Sequence, residues 1–163
     1  MTGRAFVFGD NVDTDMLAPG LYMKFAIDEL AKHCLSALDP AFATSVKPGD
    51  VVVAGDNFGM GSSREQAVMA LRHLGVSVVV ARSFAGLFFR NAVNLGLAPL
   101  VCVEAGTIAP GDEIEADAEG GRIVNRTQGR TLACEKLPPH LMAMLADGGL
   151  LPHLEKKLKA RAS

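Results

Sequence analysis

Val51-Val52-Val53-Ala54-Gly55-Asp56-Asn57-Phe58-Gly59-Met60-Gly61-Ser62-Ser63-Arg64-Glu65-Gln66-Ala67 decides the fold. Its first four residues are apolar without alternation, which predicts a strand buried on both faces. Glycines then let the chain turn sharply. Ser62 and Glu65 have capping-box spacing, so a helix is predicted over 64–74, with Ala67, Leu71 and Leu74 on its apolar face. The same rhythm continues downstream. Residues 77–81 read as a second β-branched strand, 84–95 as a helix closed by Gly96, and 99–103 as a third strand. Such a β-α-β-α-β series implies a buried parallel sheet with helices packed against it.

The flanks differ in style. Residues 4–8 predict a short strand ended by Gly9-Asp10-Asn11, and 10–15 a polar loop. Residues 27–38 have helical spacing, with Ile27, Leu30, Ala31, Cys34, Leu35 and Leu38 on one face and Asp39-Pro40 as the stop. Lys47-Pro48-Gly49-Asp50 reads as a turn. Beyond Gly106, segments 113–118, 122–126 and 131–135 are separated by turn residues and predict an antiparallel meander. Pro138-Pro139 opens a helix ending at Gly148-Gly149, and a last amphipathic helix starts near Leu150. The expected fold class is α/β: one domain over 1–163, a mostly parallel buried sheet with flanking helices, plus an antiparallel strand portion.

Composition narrows the function. At 49% hydrophobic and 21% charged, the chain is a folded globular one, and 163 residues suffice for one core. A net charge of −2 offers no basic surplus for nucleic acid or an anionic membrane. The basic tail Lys156 to Arg161 suits a helix C-terminus. Cys34, Cys102 and Cys134 are dispersed and form no CxxC pair, which argues against a disulfide framework and against a metal cluster held by this chain alone. The N-terminus lacks a long apolar core of a signal peptide, and no run of about 18 apolar residues exists. A cytoplasmic protein is expected. His33, His73, His140 and His153 have no metal-ligand spacing.

The chemistry is expected in the glycine-rich loop, at the strand edge where open α/β sheets bind ligands. Amides at a helix start attract an anion, and Arg64 adds a bidentate clamp for a carboxylate. Spacing alone leaves a plain turn as the other reading. No Gly-Lys-Ser/Thr follows, and the loop is not GxGxxG, so nucleotide binding is disfavoured.

The loop resembles the GSSRE motif of the aconitase superfamily swivelling domain, and especially the stand-alone small subunits of the 3-isopropylmalate dehydratase family. Gly9-Asp10-Asn11-Val12-Asp13-Thr14-Asp15 is similar to the family's GDNxDTD. Glu29-Leu30-Ala31-Lys32-His33-Cys34, Lys47-Pro48-Gly49-Asp50, and Ser83-Phe84-Ala85 followed by Phe88-Phe89-Arg90-Asn91-Ala92 also match in order, so the resemblance spans nearly the whole chain. It implies a hydro-lyase that dehydrates and rehydrates a hydroxy di- or tricarboxylic acid. A large subunit would carry a [4Fe–4S] cluster, with no cofactor or metal on this chain. By the motif match, Ser62 would take the proton from carbon, and Ser63 and Arg64 would bind a substrate carboxylate. Asp15 would face the site and assist proton handling, while Asp13 would shape its loop.

Three departures from the family pattern stand out. Met60 replaces a frequent Cys, Gln66 a frequent His, and Gly86 the Arg of SFAR. The resemblance places specificity in residues 19–26. The aconitase arginine for a substrate carboxylate aligns with Ala26, while Leu21, Met23 and Phe25 would favour an alkyl group and Lys24 would offer a point charge to a carboxylate. Solvent exposure of Lys24 and simple packing of the apolar residues are the competing reading. Isopropylmalate in leucine biosynthesis is favoured; dimethylmalate, citraconate or methylmalate, homoaconitate, or a non-catalytic anion-binding role stay open. Arg90, Asn91 and Asn94 read as structural in preference to supporting the site, and the Phe84, Phe88 and Phe89 cluster as core.

Overall fold

The computed structural model describes residues 2–162. β1 (Thr2–Val7) leads through a helical turn, α1 (Thr14–Leu17), and a 3-10 turn (Gly20–Tyr22) to α2 (Ile27–Ala31) and α3 (Phe42–Ser45). β2 (Val51–Ala54), α4 (Glu65–His73), β3 (Val78–Ala81), α5 (Gly86–Asn94) and β4 (Ala98–Val101) form the alternating middle. A second 3-10 turn (Ala105–Thr107) precedes the meander of β5 (Glu113–Asp117), β6 (Arg122–Asn125) and β7 (Arg130–Ala133). Finally come α6 (Pro139–Ala146) and α7 (Leu150–Ala162).

One seven-stranded sheet has the order β4-β3-β2-β1-β5-β6-β7. The expected parallel and antiparallel portions are therefore continuous, and β1 joins them. Its second half pairs parallel with β2, Ala5 opposite Val51; its first half pairs antiparallel with β5, Thr2 opposite Glu115. At Gly3 a Cβ would overlap the Gly49 carbonyl, so glycine permits the close approach of the 47–50 turn.

The unbroken apolar strands explain the layering. Alternate side chains point to opposite faces, and both faces are covered. Val52, Ala54, Val79 and Ala81 pack with α1, α2 and α4, along with Phe42 and Phe88. Val51, Val53, Val80 and Leu100 pack on the other side with Ile114, Ile123 and Leu132 of the meander. Burying a side chain such as Leu100 fully is worth about 1.5–3 kcal/mol, so these two cores supply most of the driving force.

The helix expected over 27–38 is α-helical only at its start. Leu35 takes a left-handed φ of 59°, and its amide donates to the Met16 carbonyl at 2.8 Å. This long-range bond holds 32–38 in a string of turns. Leu30, Ala31, Cys34 and Leu35 are buried as the spacing implied, but Leu38 is exposed. The polar loop also contains a helical turn that the sequence did not announce: Asp13 caps α1, its Oδ1 accepting the Met16 amide at 2.8 Å. The third strand stops at Val101, leaving Val103 exposed.

Asp112 secures the meander. Its buried Oδ2 accepts from the Ala109 amide at 2.9 Å and from Asn125 Nδ2 and Gln128 Nε2, each at 2.8 Å. The Asn125 amide foremost, then the Ala109 amide, hold this carboxyl below its ordinary value. A depressed folded pKa means stabilisation that is present above the unfolded carboxylate value, about 4, and lost as pH falls through the folded one. Asp112→Asn is expected to lower the melting temperature at pH 7 and to flatten the acid limb below about pH 4, as read by thermal melts from pH 7 to 2.5. An unchanged acid limb would remove Asp112 from the acid transition.

Candidate active site

The loops after β1, β2 and β3 meet at the carboxyl edge of the parallel strands. Residues 55–64 lie between the other two loops and are stitched to both. Gly59 N donates to Val12 O at 2.7 Å and Thr14 N to Met60 O at 2.9 Å. On the other side Phe58 N donates to Ser83 O at 3.0 Å, Ala85 N to Phe58 O at 2.9 Å, and Asn57 N to Ser83 Oγ at 2.8 Å. Left-handed backbone at Asn57, Gly59 and Gly61 lets so short a loop follow this path. Phe58 is fully buried beneath it, edge-on to Phe84 and Phe88. Of the three rings read as core, Phe88 is buried, Phe84 is partly buried against the same core and Phe89 partly buried against the opposite one; Phe58, Phe84 and Phe88 also form the floor of the loop.

The capping box does not form. α4 starts at Glu65, with extended Arg64 in the N-cap position and no side-chain cap bond. Ser62 and Ser63 lie outside the helix, on the exposed rim of the loop. The loop's anchors to its neighbours fix the backbone before the helix begins, so Ser62 does not turn back onto the helix amides. The Ser62 hydroxyl has no protein partner among the described residues. Ser63 Oγ accepts from Asn91 Nδ2 of α5 at 3.2 Å.

Arg64 and Asp15 are brought together. Arg64 Nη1 donates to Asp15 Oδ1 and to the Ala18 carbonyl, both at 2.9 Å. Asp15 Oδ1 also accepts the Gly20 amide at 2.9 Å. The Arg64 guanidinium first, and the Gly20 amide second, hold the Asp15 carboxyl below the usual range, so it is ionised near neutral pH. Among the described residues only Nη1 of the guanidinium is used. Nε and Nη2 present one donating edge, and Asp15 keeps Oδ2 free, among the described residues. Lys24 is exposed and forms no ion pair among the described residues. Leu21 and Phe25 are exposed, whereas Met23 packs on the core beside Tyr22, whose ring stacks on His33 with centroids 3.6 Å apart.

Two contacts escaped the sequence. The Ala18 carbonyl is a backbone group with no residue signature. Asn91 gave a signal only as part of a motif, and its contact with Ser63 arises because α5 packs beside α4. Of the departures, Met60 forms a bridge with Asp13 through its backbone. Gly86 opens α5 with empty space where a Cβ would stand, so a side chain there would meet no steric obstacle at its Cβ.

Cys34 and Cys102 are buried and Cys134 partly so; burial raises all their pKa values, that of Cys134 to about 11. No group of three or more His, Cys, Asp or Glu side chains that could hold a metal ion is found among the described residues. No described helix is long and apolar enough to cross a membrane.

A serine pair and an anchored arginine thus lie at the carboxyl edge of the parallel strands of an α/β domain. Residues 14–105 match the aconitase C-terminal domain family. 3-Isopropylmalate dehydratase small subunit 2 of Archaeoglobus fulgidus is 46% identical over 96% of this chain and 95% of its own. The methanogen homoaconitase small subunit of Methanothermobacter thermautotrophicus is 46% identical over 96% and 91%. The crystal structure of 3-isopropylmalate dehydratase from Methanocaldococcus jannaschii superposes with a TM-score of 0.94 at 44% identity, covering 99% of this chain and 96% of that one. The chain belongs to the aconitase C-terminal domain family and, within it, to the stand-alone small subunits of the 3-isopropylmalate dehydratase type.

Gly59 tests the loop's construction. Its φ is 84°, and a Cβ there would overlap the Phe88 ring. Gly59→Ala is expected to cost about 2 kcal/mol or more of stability in a urea melt, combining backbone strain with overpacking. A loss below about 0.5 kcal/mol, the range of ordinary surface changes, would show that the loop is free to move off the ring.

Proposed function

We propose that residues 1–163 act as one swivelling domain, the small subunit of a heteromeric hydro-lyase that interconverts 2- and 3-isopropylmalate by dehydration and rehydration. The observation that carries this is the Ser62 hydroxyl, unpartnered among the described residues, two positions before an arginine that those residues anchor through Nη1 alone, which leaves Nε and Nη2 to grip a carboxylate. In this reading Arg64 and Ser63 hold the substrate carboxylate next to the carbon that loses its proton. Ser62 accepts that proton. The amides at the start of α4 and the Arg64 charge favour the serine alkoxide this requires. Asp15 orients Arg64 through Oδ1, and its Oδ2, which has no partner among the described residues, assists proton handling.

The remaining half of the site belongs to a large subunit. We place a [4Fe–4S] cluster there, supplying Lewis-acid chemistry to the departing hydroxyl. This chain binds the acid, orients it and moves the proton, and closure of the two surfaces excludes water. In this reading residues 19–26 form the specificity end of the site. There, exposed Leu21 and Phe25 favour an alkyl substituent. The free charge of Lys24 supports a second reading, a homoaconitate-type acid with an additional carboxylate.

Anaerobic assays with the large subunit test these assignments against isopropylmalate, citraconate, dimethylmalate and homoaconitate. Ser62→Ala is expected to lower kcat by about 10²-fold or more with the complex intact. Arg64→Lys, which loses the fork geometry, is expected to raise KM by about 10- to 100-fold. Near-wild-type turnover in Ser62→Ala would end the assignment of that serine as base. Turnover of homoaconitate, lost in Lys24→Ala, would replace the alkyl-malate reading with the second one.

A further inference from the structure

Asn91 sits on α5, on the turn that also buries Ala92 and Phe88 in the core, so its side chain projects from a rigid base. Its Nδ2 donates to Ser63 Oγ at 3.2 Å, across 28 residues of sequence. Ser63 has no other side-chain partner among the described residues. A serine hydroxyl carries one proton and two acceptor lone pairs. A donor from Asn91 occupies a lone pair and leaves the proton to be given elsewhere. An acceptor in the same place would take that proton and turn it inward, away from any anion.

We propose that Asn91 is a positioning residue that aims the Ser63 O–H at the substrate carboxylate. The proposal rests on Ser63 being part of the carboxylate clamp. The polarity of the contact is what matters, not its mere presence. Asparagine at this position makes Ser63 a committed donor, matched to the Arg64 edge that donates beside it. An aspartate of the same shape would reverse the serine and set a second negative charge against the anion. A structural role would instead be satisfied by any side chain that fills the space and bonds Ser63, Asp included. Phe58 joins the two partners: the backbone bonds of Phe58 with Ser83 and Ala85 fix the start of α5 to the loop that carries Ser63, so donor and hydroxyl move together.

The test measures malonate binding to the free chain by NMR titration, and KM in the complex with the large subunit, for Asn91→Ala, Asn91→Asp, Ser63→Ala and the double variant Ser63→Ala/Asn91→Ala. Asn91→Ala is expected to weaken malonate by about 3- to 10-fold, the worth of one neutral hydrogen bond. Asn91→Asp is expected to weaken it by about tenfold more, from lost donation and like charge. The double variant should bind as Ser63→Ala does. KM should follow the same order. Binding by Asn91→Asp at least as tight as by Asn91→Ala, or an undiminished Asn91→Ala effect in the Ser63→Ala background, overturns the proposal. If Asn91→Asp fails to fold by circular dichroism, the double-variant comparison decides alone. Malonate binding that is indifferent to Ser63→Ala removes that serine from the clamp and overturns the proposal with it. Turnover persisting in Ser62→Ala, by contrast, would sink the assigned base and leave the malonate result standing.

Discussion

The site depends on the backbone hydrogen bonds that suspend residues 57–60 between the segments after β1 and β3. Val12, Thr14, Ser83 and Ala85 supply the other ends of these bonds. Each is worth only about 1 kcal/mol net, but together they fix a path that the loop cannot hold alone. The path requires left-handed residues at Asn57, Gly59 and Gly61, and it puts Phe58 into the core. Thus the same contacts that close the hydrophobic floor also set where Ser62, Ser63 and Arg64 emerge. In this loop stability and site geometry share one origin.

The Arg64–Asp15 pair illustrates the difference between holding and stabilising. Asp15 is largely exposed, 67% against 23% for Arg64. A pair of this kind contributes about 0–1 kcal/mol to folding. Its effect is directional: with Nη1 bound to Asp15 and to the Ala18 carbonyl, rotation of the guanidinium is blocked and its other edge is presented. Lys could supply the charge but not this division of labour, because an ammonium has no fixed edges.

Most of the architecture was legible because the strands are short apolar runs set between turn residues. Residues 51–54 matched their prediction, and the helices over 65–73 and 86–94 differ from it only at their ends. The failures were tertiary. No local pattern around Leu35 announces a left-handed residue bonded to Met16, and an amphipathic spacing continued past the point where the helix ended. In the same way Ser62 and Glu65 have capping-box spacing, but the loop's outside anchors override it. At the site, residue chemistry pointed to Arg64 and the family resemblance to Asp15; that they are partners follows only from the meeting of two loops 49 residues apart. Backbone groups such as the Ala18 carbonyl leave no trace in sequence at all.

The exposure of the rim has a chemical consequence. In water a serine hydroxyl is far too weak an acid to exist as an alkoxide near neutral pH, and the helix terminus and Arg64 act through a screening solvent. The same charges act more strongly once water is excluded, since the attraction between unit charges at 4 Å rises from about 1 kcal/mol in water to about 4 kcal/mol at an effective dielectric of 20. Among the described residues nothing covers Ser62. A base assigned to this residue therefore needs a second surface to lie over it. On the proposed reading the split between two polypeptides would be more than a division of cofactor from substrate: it would keep the serine unreactive until the partner, the acid and this loop are assembled together.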